Sequence, residues 1–337
     1  MNLTTRYLGL TLRNPLVASA GPLSQTVDGV RSLADGGVGA VVLFSLFEEQ
    51  LRQEAARDTL LEDMHNESYA ESLSYFPVPP QSGAGRSHRY LTLLEASAEA
   101  VDVPVIASLN GSTTGGWTRF AQQMADAGAS AIELNVYLVP GDVQTRGRDV
   151  EDRHIEILTS VKEAVSIPVA VKLSPFFSST GKMATRLDAA GADGLVLFNR
   201  FLQPEIDIET LTVESAWSLS TPAEGRLPRT WIAALRGRVG CSLAGTSGVE
   251  TSEDVVKYLL AGADAVMTTS SLLRHGTQHS ADLLAGLETW LDRKGLRDLD
   301  QVRGMLAIPS DVDQTAYERA GYVAALEKAK QVYGAVV

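Results

Sequence analysis

The sequence predicts a (β/α)₈ (TIM) barrel from three observations: eight short apolar runs, helix-like segments between them, and no dinucleotide-binding glycine turn. The apolar runs are rich in Val, Ile, Leu and Ala, which is typical of parallel strands buried on both faces. The predicted strands span residues 16–19, 40–45, 105–110, 131–136, 169–174, 194–199, 241–247 and 265–270. Eight such strands joined by helices close most economically into a barrel.

The helix predictions rest on signals at the segment ends. Segment 114–128 ends on Gly128, segment 150–165 has acidic residues in its first turn, and segment 251–262 opens Thr-Ser-Glu-Asp and closes on Gly262. Polar caps at the start and glycine at the end are typical of helices. The alternative fold is an open doubly wound sheet. It is disfavoured because ASAGPLSQ follows the first predicted strand, where that fold would carry GxGxxG.

Three segments fall outside the repeat, and we predict one domain over residues 1–337. Residues 1–14 predict a small hairpin that caps the bottom of the barrel. Residues 46–90, rich in Ser, Pro and Gly, predict a lid-like insertion after the second strand, because long loops at this face of a barrel are usually functional. Residues 296–337 predict an amphipathic helical tail that packs on the barrel or forms an oligomer surface.

The composition indicates a small-molecule partner. The net charge of −12 argues against nucleic acid and anionic membrane surfaces, which require a basic face. Cys241 is the sole cysteine, so the chain forms no internal disulfide and holds no iron–sulfur cluster with its own thiolates alone. No signal peptide or membrane-spanning run is evident. We therefore predict a cytoplasmic protein without a metal site, and we leave a homodimer open.

Polar or small residues stand at the predicted carboxyl ends of six strands. In a parallel barrel these ends meet at one face, where reactive groups are placed. The residues are Ser19, Ala20, Gly21, Ser45, Ser108, Asn110, Asn135, Lys172, Asn199 and Arg200. Any one of them could be a satisfied core residue, but their recurrence in one layer predicts a polar pocket.

The last two predicted strands end in small-residue loops. The first loop contains Gly245, Thr246, Ser247 and Gly248, and the second contains Thr269 and Ser270. Exposed backbone N–H groups near a helix start bind phosphate, and these two loops are the habitual phosphate site of such barrels. The simpler interpretation is that small residues merely permit tight turns, but the pairing of the two loops favours phosphate binding.

Lys172 has two interpretations at this stage. A lysine at a strand end can stabilise the negative charge of a reduced flavin, or it can form a Schiff base, as in barrel aldolases. The residues alone leave both open.

Five segments resemble the dihydroorotate dehydrogenase family, including the flavin barrel domain of dihydropyrimidine dehydrogenase. They are NPLVASAG (14–21), GWTRFAQQMADAGASAIELN (116–135), IELN (132–135), VKLSP (171–175) and LAGTSGVETSEDVVKYLLAGADAV (243–266). The resemblance covers essentially the whole barrel and implies FMN as cofactor, with a role in pyrimidine metabolism. It implies that Lys172 contacts the flavin, that Asn135 contacts the substrate ring, and that the polar strand ends and phosphate loops hold the cofactor.

Three departures from the family pattern concern the substrate. The position of the family's Cys or Ser base falls on Leu138, which takes no proton, so Tyr137 or a lid residue such as His65 or His88 is the alternative base. Phe44 stands in place of a lysine after the second strand, and Arg200 in place of Ser or Thr after the sixth.

We therefore expect an FMN-dependent oxidoreductase that acts on a CH–CH bond of a small dihydropyrimidine-like substrate. Lys172, Asn135 and Tyr137 are the predicted catalytic residues. Asn135 and Asn199 would bind ring amides, and Arg200 would pair a carboxylate. The alternatives are a phosphosugar lyase, aldolase or epimerase on the same barrel, and a non-catalytic flavin-binding homologue.

Overall fold

The computed structural model describes residues 1–51, 85–113, 117–138, 141–201, 204–214 and 218–334. Within these ranges the predicted barrel is confirmed. Its eight parallel strands are β3 (Leu16–Ala18), β4 (Ala40–Phe47), β5 (Val105–Gly111), β6 (Ala131–Val136), β7 (Val169–Leu173), β8 (Gly194–Leu197), β11 (Ser242–Thr246) and β12 (Ala265–Thr268). They pair in chain order, and β12 returns to β3 to close the sheet.

Several observed strands end earlier than predicted. The predicted strand 194–199 stops at Leu197, and a cis peptide bond joins Leu197 to Phe198. Asn199 still donates its amide N–H to the Leu173 carbonyl, 2.8 Å away, so it stays against the neighbouring strand. Because these strands end early, polar residues that follow them lie in the loops at the carboxyl face and not in the hydrogen-bonded sheet.

Helices surround the barrel between its strands. They are α1 (Val27–Asp35), α2 (Arg86–Ala100), α3 (Trp117–Asp126), α4 (Gly147–Ala164), α5 (Thr180–Ala189), α6 (Arg226–Leu235), α7 (Ser252–Ala261), α8 (Ser270–His275), α9 (His279–Lys294) and α10 (Gln314–Tyr333). The end signals acted as expected in α7, where Thr251 and Asp254 form a capping box and Gly262 follows with a φ of 120°. Helix α2 was not predicted.

The N-terminal hairpin closes the bottom of the barrel, as predicted. Strands β1 (Thr5–Tyr7) and β2 (Leu10–Leu12) are joined by Leu8 and Gly9, both with positive φ, which suits a tight hairpin turn. Tyr7, Leu8 and Leu12 are buried against the small apolar residues that fill the lower barrel interior. The amino-terminal half of the interior is therefore apolar, which leaves the opposite end for polar side chains.

The predicted insertion at 46–90 is regular where the structure describes it. Strand β4 continues to Phe47, and α2 begins at Arg86. Residues 52–84 lie outside the described residues, and with them lie His65 and most of the proposed lid. A second excursion, which the sequence did not predict, follows β8. It contains the exposed hairpin β9 (Glu205–Asp207) and β10 (Thr212–Glu214) and a 3₁₀ helix at Pro222–Gly225.

The tail prediction needs correction in one respect. The segment is helical, with a short 3₁₀ turn at Leu299–Gln301 and then α10. Leu299, Val302 and Ile308 are buried against the barrel, but the described side chains of α10 are almost all exposed, including Tyr322 and Leu326. The apolar residues of α10 therefore do not pack on the barrel. The alternative, that this helix forms an oligomer surface, stays a prediction. Across the described ranges, no helix is both long and apolar enough to cross a membrane.

One buried histidine gives the fold a testable pH dependence. His154 on α4 is 1% exposed; its Nδ1 lies 2.7 Å from the Val150 carbonyl, and its Nε2 has no partner among the described residues. Burial lowers the pKa of His154 below its usual value. As the pH is lowered, His154 therefore binds a proton in the unfolded chain at a higher pH than in the folded chain. The unfolding free energy consequently falls as the pH drops through about 6.5.

Replacing His154 by Leu should remove that pH dependence. When the pH is lowered from 7 to 5, we expect the unfolding free energy of the unmodified protein to fall by about 1 kcal/mol more than that of His154→Leu. Urea titrations at both pH values would measure it. His88→Gln is the matched control because His88 lies on an exposed position of α2. Equal pH dependence in the His154 variant and the parent would contradict the assignment.

Candidate active site

A cavity of about 400 Å³ opens at the carboxyl ends of the barrel strands. Its volume lies in the range of roughly 300–1,000 Å³ that is usual for small-molecule sites. The predicted residues among its described lining are Ser19, Ala20, Gly21, Ser45, Asn110, Asn135, Tyr137, Lys172, Asn199, Arg200, Thr246, Ser247, Gly248, Thr269 and Ser270. Residues from distant parts of the chain thus meet where parallel-barrel topology places them.

A buried ion pair lies at the base of this cavity. Lys172 Nζ lies 3.2 Å from Glu133 Oε1 and 3.2 Å from Ser19 Oγ. The Lys172 side chain is 7% exposed and that of Glu133 1%. The second carboxylate oxygen of Glu133 is buried and has no hydrogen-bond partner among the described residues. Lys172 is therefore held beside the cavity by a carboxylate that lies beneath it.

Sequence reasoning missed Glu133, although a signal for it was present. It stands two residues before Asn135 on β6, and alternate residues of a strand share one face. A charged residue within the apolar run AIELNV needs a buried partner. Lys172, which the β6–β7 register sets opposite Asn135, is that partner.

Asparagine side chains form a second polar group in the lining. Register pairs Asn110 with Asn135 across β5 and β6. Asn199 Nδ2 donates to Asn135 Oδ1 over 3.0 Å, so two of the three amides are oriented by each other. Amides carry both donors and acceptors, which suits recognition of a ligand with both.

The loop after β11 has the backbone geometry of an anion site. Ser247 and Gly248 have φ values of 79° and 66°. Within the described part of the chain, no hydrogen bond uses the amide N–H of Ser247 or Val249. A side chain at Gly248 would come within 2.6 Å of the Gly225 nitrogen, so glycine is needed there. Successive left-handed residues with free N–H groups are the arrangement that binds phosphate.

Tyr258, which lies outside the cavity, and Ser220, which belongs to its lining, hold these loops in place. The Tyr258 hydroxyl donates to the carbonyls of Thr246 and Ser247 over 2.9 and 2.7 Å. Burial raises the pKa of Tyr258, so this donor stays protonated. Ser220 Oγ accepts from the Gly248 amide and donates to Ser270 Oγ, which links the loop after β11 to the loop after β12.

Two residues predicted to bind the cofactor do not line the cavity. Ser108 is fully buried; its Oγ lies 2.8 Å from Ser45 Oγ, and its amide donates to the Tyr90 hydroxyl. Gly245 faces the ring of Tyr258, which any added side chain would strike. Ser108 faces the barrel interior one layer below Asn110, because alternate residues of a strand share one face, whereas Gly245 faces outward to Tyr258.

Arg200 lines the cavity, but its charge is already paired. Arg200 Nε donates to Glu224 Oε2 over 2.8 Å, and a second nitrogen donates to the Ser218 carbonyl. The role of Arg200 in pairing a substrate carboxylate stays a prediction. The sequence did not predict its partner, because Glu224 lies in the unpredicted excursion after β8.

The structure separates Leu138, the position at which the family carries its base, from the neighbouring Tyr137. Leu138 is half-buried and lies outside the cavity lining, whereas Tyr137 lines the cavity. The Tyr137 ring stacks on Phe201, with centroids 4.3 Å apart. Phe44 also lines the cavity, and its ring packs edge-on against Tyr90. His88 is exposed on α2, outside the lining.

Comparison with known proteins decides the family. The family model described as dihydroorotate dehydrogenase matches residues 2–291. This chain belongs to the dihydroorotate dehydrogenase family.

Relatives of this family resemble the chain over most of its length. It is 30% identical over 311 residues to the dihydroorotate dehydrogenase B (NAD(+)) catalytic subunit of Methanocella arvoryzae, covering 90% of this chain and 98% of the relative. The protein with the same description from Thermoplasma acidophilum is 26% identical over 309 residues, with the same coverage. One from Listeria welshimeri is 31% identical over 217 residues, covering 61% of this chain and 69% of the relative.

Family membership decides between the functional classes left open by the sequence. The chain is a flavin-dependent oxidoreductase of the dihydroorotate dehydrogenase type. A phosphosugar lyase, aldolase or epimerase is therefore disfavoured. Helix α10 lies beyond the part of the chain that the family model matches.

The buried pair between Lys172 and Glu133 should be visible in stability measurements. Lys172→Met leaves the Glu133 carboxylate buried without its counter-charge, and we expect a loss of about 3–5 kcal/mol in unfolding free energy. The double variant Lys172→Met/Glu133→Met should regain most of that loss, because no buried charge remains. Urea unfolding of the flavin-free protein measures both. A double variant no more stable than the single one would show that the pair is not coupled.

Proposed function

We propose that this chain uses FMN to transfer a hydride to or from a C–C bond next to a carbonyl in a small dihydropyrimidine-like substrate. The observation that supports the proposal is that the loop at Ser247–Gly248, Lys172 and the asparagines all line one cavity. The cavity thus provides an anion site, a cation and amide groups, as an FMN enzyme of this kind requires.

The residues present fit the phosphate end of FMN. The free amides of Ser247 and Val249 are available to phosphate oxygens, and Thr269 and Ser270 bring the second loop to the same place. Beside this second loop, an added side chain at Gly21 would come within 2.6 Å of Thr269 Cγ2. Glycine at position 21 therefore allows the loop after β3 to pack closely against Thr269.

Lys172 fits the flavin ring itself. FMN, when bound, would supply the group that accepts or delivers the hydride. Lys172 would place its ammonium against the edge of the ring that gains negative charge on reduction. Ser19, 3.2 Å from Lys172 Nζ, would orient that ammonium. Ser45 and Asn110 line the same side and would hydrogen-bond the ring.

The substrate would lie between the flavin site and the aromatic side of the cavity. Asn135 and Asn199 would bind its ring amides. The proton that accompanies hydride transfer needs a group within hydrogen-bond reach. Tyr137 is our candidate because its ring lines the cavity and is fixed by stacking on Phe201, whereas Leu138 lies outside the lining.

The electron acceptor is a separate matter from hydride transfer. The relatives' names describe catalytic subunits of an NAD(+)-linked enzyme. Because this chain has one cysteine, coupling through an iron–sulfur centre would use a partner chain. Cys241 is partly buried, and burial raises the pKa of its thiol, which disfavours the thiolate.

Purified protein should bind FMN at one per chain, and its phosphate should contribute strongly. We expect FMN to bind about 100-fold more tightly than riboflavin, since two charge-assisted hydrogen bonds to a phosphate supply about 3 kcal/mol. Quenching of flavin fluorescence measures both affinities. Equal affinity for FMN and riboflavin would contradict the phosphate loop, and protein that binds neither would overturn the proposed function.

Two neighbouring variants separate the candidate proton groups. Tyr137→Phe should slow flavin reduction by a dihydropyrimidine about 10²–10⁴-fold, the usual contribution of a positioned acid or base, with FMN affinity unchanged. Leu138→Cys should bring no gain, because Leu138 lies outside the cavity lining. Stopped-flow absorbance follows both. Faster reduction in Leu138→Cys, with no effect of Tyr137→Phe, would assign the base to position 138 instead.

A further inference from the structure

The charged side chains of the described cavity lining are both neutralised from outside it. They are Lys172 and Arg200. Lys172 pairs with Glu133 at 3.2 Å, and Arg200 pairs with Glu224 at 2.8 Å. Neither carboxylate belongs to the lining. The described lining left for a substrate is therefore electrically balanced, apart from the loops proposed to bind phosphate.

The pair between Arg200 and Glu224 is fixed in geometry. Glu224 Oε1 accepts from the Thr221 amide over 2.8 Å, in a capping box that begins the 3₁₀ helix at Pro222. Its other oxygen holds Arg200, which also donates to the Ser218 carbonyl. A substrate carboxylate at Arg200 would lie near Glu224 and would lose its hydration without a net counter-charge.

The asparagines offer what an uncharged ring needs. The bond between Asn199 Nδ2 and Asn135 Oδ1 is the one recorded for these two side chains in the described residues. It leaves Asn135 Nδ2 as a donor and Asn199 Oδ1 as an acceptor. A neighbouring donor and acceptor are complementary to the C=O and N–H of a lactam or imide. A carboxylate accepts only, so it would leave the Asn199 oxygen unmatched.

Four aromatic rings also belong to the cavity lining. Phe44, Phe47, Tyr137 and Phe198 line the cavity, and Phe201 stacks behind Tyr137. Flat apolar walls favour a planar, uncharged ligand, because dispersion and burial reward contact with its faces.

We propose that the substrate of this site is an uncharged planar lactam or imide ring and not a carboxylate. The inference rests on the proposed function, which places hydride transfer in this cavity, and narrows its substrate class. Paired charges at Lys172 and Arg200, the amides of Asn135 and Asn199 and the aromatic wall all point to it.

Three probes that differ only in charge and size test the inference in FMN-loaded protein. Uracil, orotate and orotate methyl ester are titrated, and the shift of the flavin absorbance bands reports binding without turnover. We expect uracil and the ester to bind at least about tenfold more tightly than orotate, because a charge is costly where none is compensated. Orotate binding as tightly as uracil would overturn the inference. So would an ester as weak as orotate, which would show that size discriminates, or a failure of uracil to bind at millimolar concentration.

A variant then tests the residue held responsible. Glu224→Gln removes the charge that neutralises Arg200, so the affinity for orotate relative to uracil should rise at least about tenfold. Glu214→Gln, on the exposed strand β10, is the matched control and should leave the ratio unchanged. An unchanged ratio in folded Glu224→Gln would overturn the role of the ion pair. If that variant does not fold, Arg200→Gln replaces it: unchanged orotate affinity supports the inference, and a tenfold loss overturns it.

The outcomes separate this inference from the proposed function. Protein that binds no FMN contradicts the proposed function. Protein that binds FMN, is reduced by a substrate and prefers orotate contradicts the uncharged-substrate inference alone.

Discussion

The buried ion pair between Lys172 and Glu133 is the interaction around which the site is arranged. Burying either charge alone would cost several kcal/mol, so the two must fold together. Their strands, β6 and β7, are adjacent, and Asn135 lies opposite Lys172 in the register between them. The pair therefore fixes a cation and an amide at the same depth in the barrel, where the apolar lower interior gives way to the cavity.

The cavity depends equally on the residues that hold its loops in place. Tyr258 holds the carbonyls of the loop after β11, and Gly245 is bare so that the Tyr258 ring fits beneath the strand. Ser220 joins that loop to the next one. The backbone amides of Ser247 and Val249 are unused within the described chain, so these supports hold the loop with N–H groups from which an anion could accept hydrogen bonds.

Within the family, the described cavity lining keeps residues that the resemblance assigned to the cofactor and departs from the family pattern at positions assigned to the substrate. The loop at Ser247–Gly248 and Lys172 both line the cavity, and their role in holding FMN is our proposal. Leu138 and the Arg200–Glu224 pair differ from it. The first half needs backbone and one cation, which tolerate little change; the second needs side chains on loops, which vary without disturbing the barrel.

The sequence by itself determined the barrel, most strand positions and the two small-residue loops after β11 and β12. These follow from local signals: apolar runs, cap residues such as Thr251, and small residues at strand ends. It also placed Lys172 and the asparagines at one face, because parallel topology brings all strand ends together. It did not predict helix α2, the hairpin after β8 or the exposed face of α10.

Only the tertiary structure decided the charge of the cavity. Glu133 and Lys172 are 39 residues apart, and Arg200 and Glu224 are 24 apart, so no local pattern pairs them. The structure also buried Ser108 beneath Asn110 and placed Tyr137 in the cavity wall. The physical reason is that strand direction, register and loop path set the face and the depth at which a side chain lies. A shift of one residue, which composition and motifs do not resolve, moves a side chain from the barrel interior to its outer face, where Gly245 lies.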